Sequence, residues 1–299
     1  MFKRIKAFYN SQVKRNQKQL IGMINGRLNC FRNYTISKHK QEVLAGIKEK
    51  TPENPALYGY KVYSQNDEDG IIAYIFNKIG GNKTFIELGC GMGLENNTHW
   101  LLLNGWKGIW VDGAENNVKY ITQKLNGHIF PDHLWIDHQF ITLKNVDDLF
   151  KKYTQFLKVE QPDFVSIDID GNDFYVIERL LETGLKPKIF CIEYNSKYPP
   201  PSLIKIAYNE DHIWAYDDYQ SASLQCWVNL MKSHNYTLIC CNTSGLNGFF
   251  VEHFYLQKFI EYSVEDLFQP ARFHFSEEIS GHVSTLNYLR DLLKAKQFL

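Results

Sequence analysis

The sequence lacks any long hydrophobic run, and nothing in its 299 residues approaches the roughly 20 apolar residues that a membrane-spanning helix needs. It also lacks the paired cysteine spacing of zinc sites, although it contains six cysteines. Its net charge is zero, with 33 Lys and Arg against 33 Asp and Glu, so no overall basic surface favours nucleic acid. These absences argue against a membrane-spanning protein, a zinc-binding module and a nucleic-acid partner.

The zero net charge conceals a basic N-terminal segment. The first 50 residues contain 12 Lys and Arg against two Asp and Glu, whereas the remaining 249 contain 21 basic and 31 acidic residues. No apolar stretch or cleavage site of a secretory signal is present, so we predict a cytoplasmic protein with free thiols. Residues 2–23 are predicted to form a basic amphipathic helix, which could contact the anionic inner face of the membrane or an acidic partner. The alternative is a solvated arm lying loosely on the acidic body.

Strand and helix patterns alternate along the middle of the chain. Five strands with helices between them are predicted at 84–88, 108–112, within 128–136, at 163–169 and at 188–194. Two further strands, 236–242 and 248–254, are too close in sequence for a parallel crossover and should form an antiparallel hairpin. The sequence therefore predicts an α/β fold, a Rossmann-like, doubly wound, seven-stranded sheet with a terminal antiparallel β-hairpin. This arrangement resembles the fold of class I S-adenosylmethionine (SAM) methyltransferases.

We divide the chain into three parts. Residues 1–60 are predicted to form a basic helical arm and a linker, since Pro52 and Pro55 interrupt helix. Residues 61–255 are predicted to form the methyltransferase-like domain. Residues 256–299 are predicted to be a C-terminal helical extension.

A glycine-rich turn follows the first predicted strand. Gly89, Gly91 and Gly93 allow a tight turn and leave room for a ligand close to the main chain. Glu87 precedes them, and Asp112 ends the second strand, where an acid can accept hydrogen bonds from both hydroxyl groups of a ribose. The third glycine comes too soon for a dinucleotide fingerprint, and an acid opens the next helix, where a pyrophosphate needs free N–H groups. The positively charged SAM therefore fits better than NAD, and a purely structural glycine turn is the alternative.

Acidic and amide side chains follow the fourth and fifth predicted strands. They are Asp168, Asp170, Asp173, Glu193 and Asn195. Because a strand has a period of two, Asp168 and Asp170 are predicted to share a face, and crowding should raise at least one pKa. These acids could act as a general base or hold Mg²⁺ or Mn²⁺ through oxygen ligands at Asp168 and Asp170. Asp173 could instead cap a helix, and the Asp-x-Asp pattern is also typical of metal-dependent glycosyltransferases.

The same segments resemble a known family. Their order and spacing from Tyr63 to Val251 are similar to those of FkbM-like class I SAM-dependent methyltransferases, which are encoded with bacterial surface-polysaccharide genes. The motifs that carry the resemblance are YSQNDEDGII, FIELGCGMGLENNT, LLNGWKGIWVDG, SIDIDGNDFYV, IEYN and GLNGFFV.

The resemblance implies a role for each matched residue. The SAM site would be lined by Glu87, Gly89, Gly91 and Asp112, with Asn97 and Thr98 near it. The strand-four acids, Asp168, Asp170 and Asp173, would face the acceptor. A related macrolide-sugar O-methyltransferase family binds Mg²⁺ at an Asp-Gly-Asp motif. The motif here, Asp170-Gly-Asn-Asp173, is one residue longer, so a metal requirement stays open.

The resulting hypothesis is SAM-dependent O-methyl transfer to a sugar hydroxyl in capsule or O-antigen biosynthesis. We expect Asp170 to act as the base and Asp168 to position it. Glu193, Asn195 and Asn247 are expected to bind a carbohydrate or nucleotide-sugar acceptor, beneath a Pro-, Tyr- and Trp-rich loop at 196–220. The alternatives are a non-catalytic docking subunit of polysaccharide assembly, which would have a SAM fold and make its contact through the basic arm, and an Asp-x-Asp metal-dependent glycosyltransferase.

Overall fold

The computed structural model describes residues 2–275, 282 and 284–295, with side chains from residue 12 onward. The chain divides into two compact units, Met1–Ala45 and Gly46–Leu299. Helix α1, Phe2–Lys50, contributes residues 2–45 to the first unit and residues 46–50 to the second, and it extends well beyond the predicted helix at 2–23. No helix among the described residues is both long and apolar enough to cross a membrane.

The second unit is built from short helices around one sheet. Its helices are α2 (Glu68–Ile79), α3 (His99–Leu103), α4 (Glu115–Leu125), α5 (Val146–Leu157), α6 (Asp173–Glu182), α7 (Leu224–Ser233), α8 (Val264–Leu267) and α9 (Thr285–Ala295). Its strands are β1 (Thr84–Leu88), β2 (Lys107–Asp112), β3 (Ile129–Phe130), β4 (Leu134–His138), β5 (Phe164–Ile167), β6 (Ile189–Glu193), β7 (Tyr236–Cys241) and β8 (Asn247–Glu252).

The described strands form one sheet in the order β3-β4-β2-β1-β5-β6-β8-β7. Strands β1, β2, β4, β5 and β6 pair in parallel, whereas β8 runs antiparallel to both β6 and β7. Without the edge strand β3, this order, in which the reversed strand β8 lies between β6 and β7, is that of the class I methyltransferase fold. The predicted fold and its terminal hairpin are therefore confirmed.

The number of strands differs from the prediction of seven. The region expected to hold one strand contains two, because β3 pairs antiparallel with β4 and makes an eighth. The two strands are separated by Pro131, which cannot donate a backbone hydrogen bond, and by Asp132, whose φ of +65° reverses the chain. A single extended strand could not accommodate that pair.

The strands are apolar on both faces because helices cover both sides of a parallel sheet. All five residues of β1 are buried, as are all those of β5 and β6. One core cluster joins these strands to the apolar faces of α5, α6 and α7, with Tyr153, Ile177 and Trp227 fully or almost fully buried within it.

The predicted linker before α2 is packed rather than extended. Residues Pro55–Tyr58 form a short 3-10 helix in which Pro55 and Ala56 are buried. One carboxylate oxygen of Asp69 accepts hydrogen bonds from the backbone N–H groups of Val62, Tyr63 and Ser64 at 2.7–2.8 Å. This carboxylate ties the segment to the first turn of α2.

Two remaining expectations concern the C-terminus and the thiols. The predicted extension at 256–299 contains α8 and α9 and also residues outside the described set. All six cysteines are free thiols, as predicted, and Cys240 and Cys241 are both buried in β7.

Candidate active site

A cavity of about 450 Å³ lies at the carboxyl edge of the parallel strands and is called the main cavity because predicted site residues line it. A larger cavity, of about 580 Å³, is lined by Asp163 and Lys188 among others and by none of the predicted site residues. The wall of the main cavity is formed by the glycine turn after β1, the end of β2, the residues after β4, the turn after β5 and part of the loop before α7. This is the edge at which open α/β sheets bind ligands. Of the predicted site residues, it brings together Gly89, Gly91, Asp112, Asp168 and Asp170.

Gly89 lets the turn after β1 pass directly against the turn after β5. Its φ is +84°, and a Cβ there would lie 1.7 Å from the backbone oxygen of Asp168. Gly91 also has a positive φ, but a Cβ there would meet no atom within 4 Å. Gly89 is therefore required by packing, whereas Gly91 leaves its backbone open to the cavity.

Asp112 ends β2 and holds the cavity wall in place. Its Oδ2 accepts a hydrogen bond from the N–H of Gly91 at 2.7 Å. Its Oδ1 accepts from the N–H of Ala114 at 2.8 Å and from Nδ2 of Asn117 at 3.1 Å. Because a carboxylate offers about four acceptor positions, one remains for a ligand hydroxyl.

Glu87 is buried and is hydrogen-bonded mainly within the protein. Its Oε1 accepts from the N–H of Asn97 at 2.7 Å, and its Oε2 accepts from Asn96 and from the hydroxyl of Thr98. Burial raises the pKa of Glu87 to about 7. Glu87 thus anchors the segment leading into α3, and it borders a smaller cavity of about 170 Å³ beside the glycine turn.

The other three predicted SAM residues take different places. Asn97 borders the same smaller cavity and donates from Nδ2 to the hydroxyl of Ser166 at 3.0 Å. Thr98 is fully buried and accepts a hydrogen bond from Nε1 of Trp110. Gly93 lies against the Trp110 ring and lines neither cavity. The contacts of Thr98 and Gly93 hold the loop between β1 and α3 in place.

Asp168 and Asp170 face the main cavity, but they do not lie on a strand as predicted. Strand β5 ends at Ile167, and Asp170 has a φ of +58°, so both acids belong to a turn. Asp168 and Asp170 therefore do not share a strand face as predicted, because the strand, and with it the period of two, ends at Ile167. The turn nevertheless directs both residues into the cavity.

The surroundings of these two acids raise the pKa of each. Burial, with the charges of Asp170 and Asp173, raises the pKa of Asp168 well above its ordinary value. Burial and the charge of Asp112 raise the pKa of Asp170, against a smaller lowering effect of His212. Both side chains are open to solvent through the cavity, although protein surrounds them on the other sides. A carboxyl group so placed can exchange a proton with a ligand.

Asp173 holds the turn and has no face on either cavity. It is fully buried at the start of α6, where its two oxygens accept hydrogen bonds from the N–H groups of Ile169 and Gly171, each at 2.8 Å. This is the capping arrangement that the sequence left open. We therefore leave Asp173 out of the proposed catalytic group.

The predicted acceptor residues lie deeper than expected. Asn195 donates to the backbone oxygens of Asp218 and Gln220 at 3.0 and 3.2 Å, so it fastens the loop before α7. Asn247 borders the smaller cavity and donates to Oε1 of Glu68 at 3.0 Å. Neither lines the main cavity.

Glu193 forms a cluster of three carboxyl groups with Asp168 and Asp170. One oxygen from each residue lies within 4.8 Å of those from the other two. Burial and the charge of Asp168 raise the pKa of Glu193 well above its ordinary value. Its Oε2 has no hydrogen-bond partner among the described residues. This spacing would suit one cation, and the crowding of the same carboxyl groups is one cause of the raised pKa values of Asp168 and Glu193. The metal site at Asp168 and Asp170 stays a prediction.

Several cavity residues were missed from the sequence. Gln139, Phe140 and Ile141 line the cavity directly after β4, and a firmer placement of that strand would have found them at the same edge. His212 and Trp214 line it from the loop before α7, within the 196–220 segment that was expected to cover the acceptor, although neither was named individually. No motif marks these two, because they reach the site through the path of a long irregular loop.

The comparisons with known proteins are all structural. No family model matches the sequence, and no curated protein matches it. The chain is similar to a SAM-dependent methyltransferase from Clostridium acetobutylicum ATCC 824, with 12% identity, a TM-score of 0.37, and coverage of 62% of this chain and 90% of that chain.

Two further solved structures are similar to the chain. One is an O-methyltransferase from Bacillus cereus in complex with SAH, with 14% identity, a TM-score of 0.41, and coverage of 69% of this chain and 89% of that chain. The other is the N-terminal domain of EvdMO1 with SAH bound, with 11% identity, a TM-score of 0.39, and coverage of 71% of this chain and 94% of that chain. The fold assignment rests on the strand order given above.

Proposed function

We propose that the protein is a SAM-dependent methyltransferase that methylates an oxygen atom of a sugar. The observation that carries the proposal is the single cavity that joins the glycine turn and Asp112 to Asp168 and Asp170. Such a cavity can hold a nucleoside at one end and a reacting hydroxyl group at the other.

The residues of the cavity fit SAM. The remaining acceptor position of Asp112 suits a ribose hydroxyl, and the open backbone at Gly91 leaves room for the ligand beside it. Val111, Phe140 and Ile141 supply an apolar wall for the flat adenine ring. When bound, SAM supplies an electrophilic methyl group on a positively charged sulfur, and the nearby carboxyl groups favour that charge.

The acid pair at the other end is suited to the acceptor. Asp170 is open to the cavity and can accept a hydrogen bond from a hydroxyl group there. Asp168 lies beside it, with a carboxyl oxygen within 4.8 Å of one from Glu193. We assign Asp170 to the path of the acceptor proton and Asp168 to its support.

A sugar acceptor is supported by the composition of the cavity mouth and by the FkbM-like motifs. Trp214 lines the cavity, and its ring lies 4.8 Å from that of Tyr216, which is 87% exposed. Nε1 of Trp214 donates to the backbone oxygen of Asp217 at 2.8 Å, which fixes the ring. Exposed aromatic faces beside polar groups are suited to a sugar ring. We therefore propose a carbohydrate or nucleotide-sugar acceptor in surface-polysaccharide biosynthesis.

Mass spectrometry of the cell-surface glycan tests this function. A strain that lacks the gene should lose the mass of one CH₂ group from each modified sugar residue. Restoring the gene should bring the mass back, whereas restoring it with Asp170→Asn should not. An unchanged glycan mass in the deletion strain would refute the proposed function.

A second role, docking to an anionic surface, is favoured by helix α1. Leu20, Ile24, Leu28 and Phe31 are each about half exposed or more, on a helix rich in Lys and Arg. Apolar side chains flanked by basic ones bind anionic lipid surfaces.

Co-sedimentation with vesicles tests this role. The full chain should bind phosphatidylserine-containing vesicles at low salt and lose that binding at high salt. The variants Ile24→Ser and Phe31→Ser each remove an exposed apolar side chain from α1, so both should weaken binding. Equal binding to neutral vesicles would rule out charge as the cause.

A further inference from the structure

A short segment before α2 forms part of the wall of the smaller cavity beside the glycine turn. Gln65 belongs to this segment, within the motif YSQNDEDGII, and it lines that cavity. The smaller cavity shares Gly89, Gly91 and Asp168 with the main cavity, so the two cavities are neighbours along the same turn. A ligand in the main cavity can therefore extend past the turn into the smaller one.

The residues on both sides of Gln65 are fixed by buried carboxylates. The N–H of Ser64 donates to Oδ2 of Asp69 at 2.8 Å. The N–H of Asn66 donates to Oε2 of Glu68 at 2.8 Å. Ser64 and Asn66 are fully buried, whereas Gln65 between them is half-buried. The acids of the motif thus hold the backbone on either side of the residue that lines the cavity.

The side-chain amide of Gln65 is available to a ligand. It makes no hydrogen bond with any residue that the structure describes, whereas the backbone oxygen of Gln65 accepts from Nζ of Lys61 at 2.7 Å. A glutamine amide offers two donors and an acceptor with two lone pairs. It can therefore bind a positively or a negatively charged group.

Asn247 enters the same cavity from β8 and is held by the same carboxylate as the segment of Gln65. Its Nδ2 donates to Oε1 of Glu68 at 3.0 Å, whereas its Oδ1 accepts no hydrogen bond from the residues described. Glu68 is fully buried, and its two oxygens hold Asn66 and Asn247 at once. One buried side chain therefore sets Gln65 and Asn247 relative to each other.

The lining of the smaller cavity suits a group that carries charges of both signs. Its amide and hydroxyl side chains belong to Gln65, Asn96, Asn97, Ser166 and Asn247. The described part of the chain contributes no Lys, Arg or His to this wall, which disfavours a phosphate group. The backbone N–H of Met92, which also lines the cavity, donates to no described residue. Amide oxygens suit an ammonium group, and amide and backbone N–H groups suit a carboxylate.

We propose that Gln65 and Asn247 bind the ammonium and carboxylate groups at the amino-acid end of SAM, and that Glu68 is the residue that positions them. This inference rests on the proposed methyltransferase function, which puts the nucleoside of SAM in the main cavity. The two ends of the ligand are then held by different residues, with Asp112 at the nucleoside. A ligand that lacks the amino-acid end loses only the contacts of the smaller cavity.

Calorimetry of the purified full chain with two ligands tests the proposal. S-adenosylhomocysteine (SAH) carries the amino-acid end, whereas 5′-methylthioadenosine has the same nucleoside and sulfur but lacks it. Gln65→Ala should weaken SAH binding by roughly 10–100-fold, the effect of losing a hydrogen bond to a charged group. The Kd for methylthioadenosine should be unchanged.

Two further variants of glutamine separate hydrogen bonding from shape and from general effects. Gln65→Met fills similar space without hydrogen bonding, so it should bind SAH as weakly as Gln65→Ala. Gln155→Ala, at an exposed glutamine of α5 that lines neither cavity, is the matched control. It should bind both ligands as wild type does.

Glu68→Gln tests the positioning role. A glutamine offers one oxygen in place of two, so it can no longer hold both Asn66 and Asn247. It should lower the affinity for SAH and leave the Kd for methylthioadenosine unchanged. Equal losses for the two ligands would mean that Glu68 only supports the fold, and its positioning role would be wrong.

The failure of this inference can be told apart from the failure of the proposed function. If the folded wild-type protein binds neither ligand, the proposed function fails and the role of Gln65 falls with it. If wild type binds SAH and Gln65→Ala binds it as tightly, or loses affinity for both ligands equally, only the role of Gln65 is wrong. Wild-type affinity for methylthioadenosine equal to that for SAH would also overturn the inference.

Discussion

The role of a single residue in the site depends on its close contacts more than on its chemical type. Gly89 is the clearest case, because a neighbouring backbone oxygen occupies the space of a side chain. Asp112 and Glu87 were both assigned to the ligand from the sequence, yet each also holds a loop through three or more hydrogen bonds. Their structural and proposed ligand roles therefore have to be separated by measurement.

Gly89→Ala is expected to destabilise the protein and to abolish SAM binding. Alanine is strained at a φ of +84°, and its Cβ would collide with the backbone oxygen of Asp168. The cost should exceed the ~1 kcal/mol typical of alanine at a positive φ.

Gly184→Ala is the matched control for the collision. Gly184 has a φ of +91°, and a Cβ there would meet no atom within 4 Å, so this variant carries the backbone strain alone. Urea unfolding of both variants should show a larger loss for Gly89→Ala. Equal losses would mean that the close approach to Asp168 contributes nothing.

The buried side chain of Glu87 should make the free energy of unfolding of the protein depend on pH. Burial raises its pKa from 4.5 to about 7, so between these values the unfolded chain releases a proton that the folded protein retains. The free energy of unfolding should therefore fall as the pH rises through this window, by roughly 3 kcal/mol from this residue.

Urea unfolding of wild type and Glu87→Gln across that range measures the contribution. Asp67 and Asp173, whose pKa values are raised to about 6, titrate in both proteins and cancel in the difference. Stability should fall less steeply with pH in the variant. Parallel profiles would show that Glu87 does not titrate as stated.

At the scale of elements, helix α2 is joined to the β7–β8 hairpin through buried polar groups. Oε1 of Glu68 accepts from Nδ2 of Asn242 at 2.5 Å and from Nδ2 of Asn247 at 3.0 Å. Oδ1 of Asn242 in turn accepts from the N–H groups of Leu246 and Asn247 at 2.9 and 3.0 Å. Asn242 thus closes the hairpin turn and connects it to the helix.

Asn242→Ala should lower the free energy of unfolding by at least ~2 kcal/mol, because it leaves the buried N–H groups of Leu246 and Asn247 without their acceptor. Asn229→Ala, at an exposed position in α7, should change it by less than ~0.5 kcal/mol. Chemical unfolding of the two variants compares them directly. A similar small effect at both positions would contradict the structural role of Asn242.

Local signals predicted the regular elements well and the site only in part. Strand β1 was predicted correctly because the glycine-rich turn that follows it marks its end in the sequence. The pairing of Asp168 with Asp170 was predicted from strand periodicity, but the chain turns after Ile167 and Asp173 holds that turn through backbone N–H groups. The place of His212 in the cavity wall depends on the packing of a long loop, which no local pattern encodes.

At the scale of the whole molecule, charge and compactness divide the chain in a similar way. The basic residues concentrate in the first 50 positions, and the first compact unit is Met1–Ala45. The cavity and every predicted site residue belong to the second unit, Gly46–Leu299. The proposed docking role and the proposed chemistry therefore belong to different parts of the chain.

Removal of residues 1–45 should leave the Kd for SAM unchanged and abolish binding to anionic vesicles. The reason is that the cavity is lined only by residues of the second unit. Calorimetry and vesicle co-sedimentation of the shortened and full chains measure the two properties separately. If the shortened chain still binds vesicles, the docking surface lies in the second unit and the proposed role of α1 is wrong.

Calorimetric titration with SAM tests the central claim most directly. The wild-type chain should bind SAM at one site, and Asp112→Ala should weaken binding by roughly 10–100-fold, the effect of losing a hydrogen bond to a charged group. Asp132→Ala, at an exposed acid paired with Lys158, should leave the affinity unchanged. A folded wild-type protein that does not bind SAM would contradict the account.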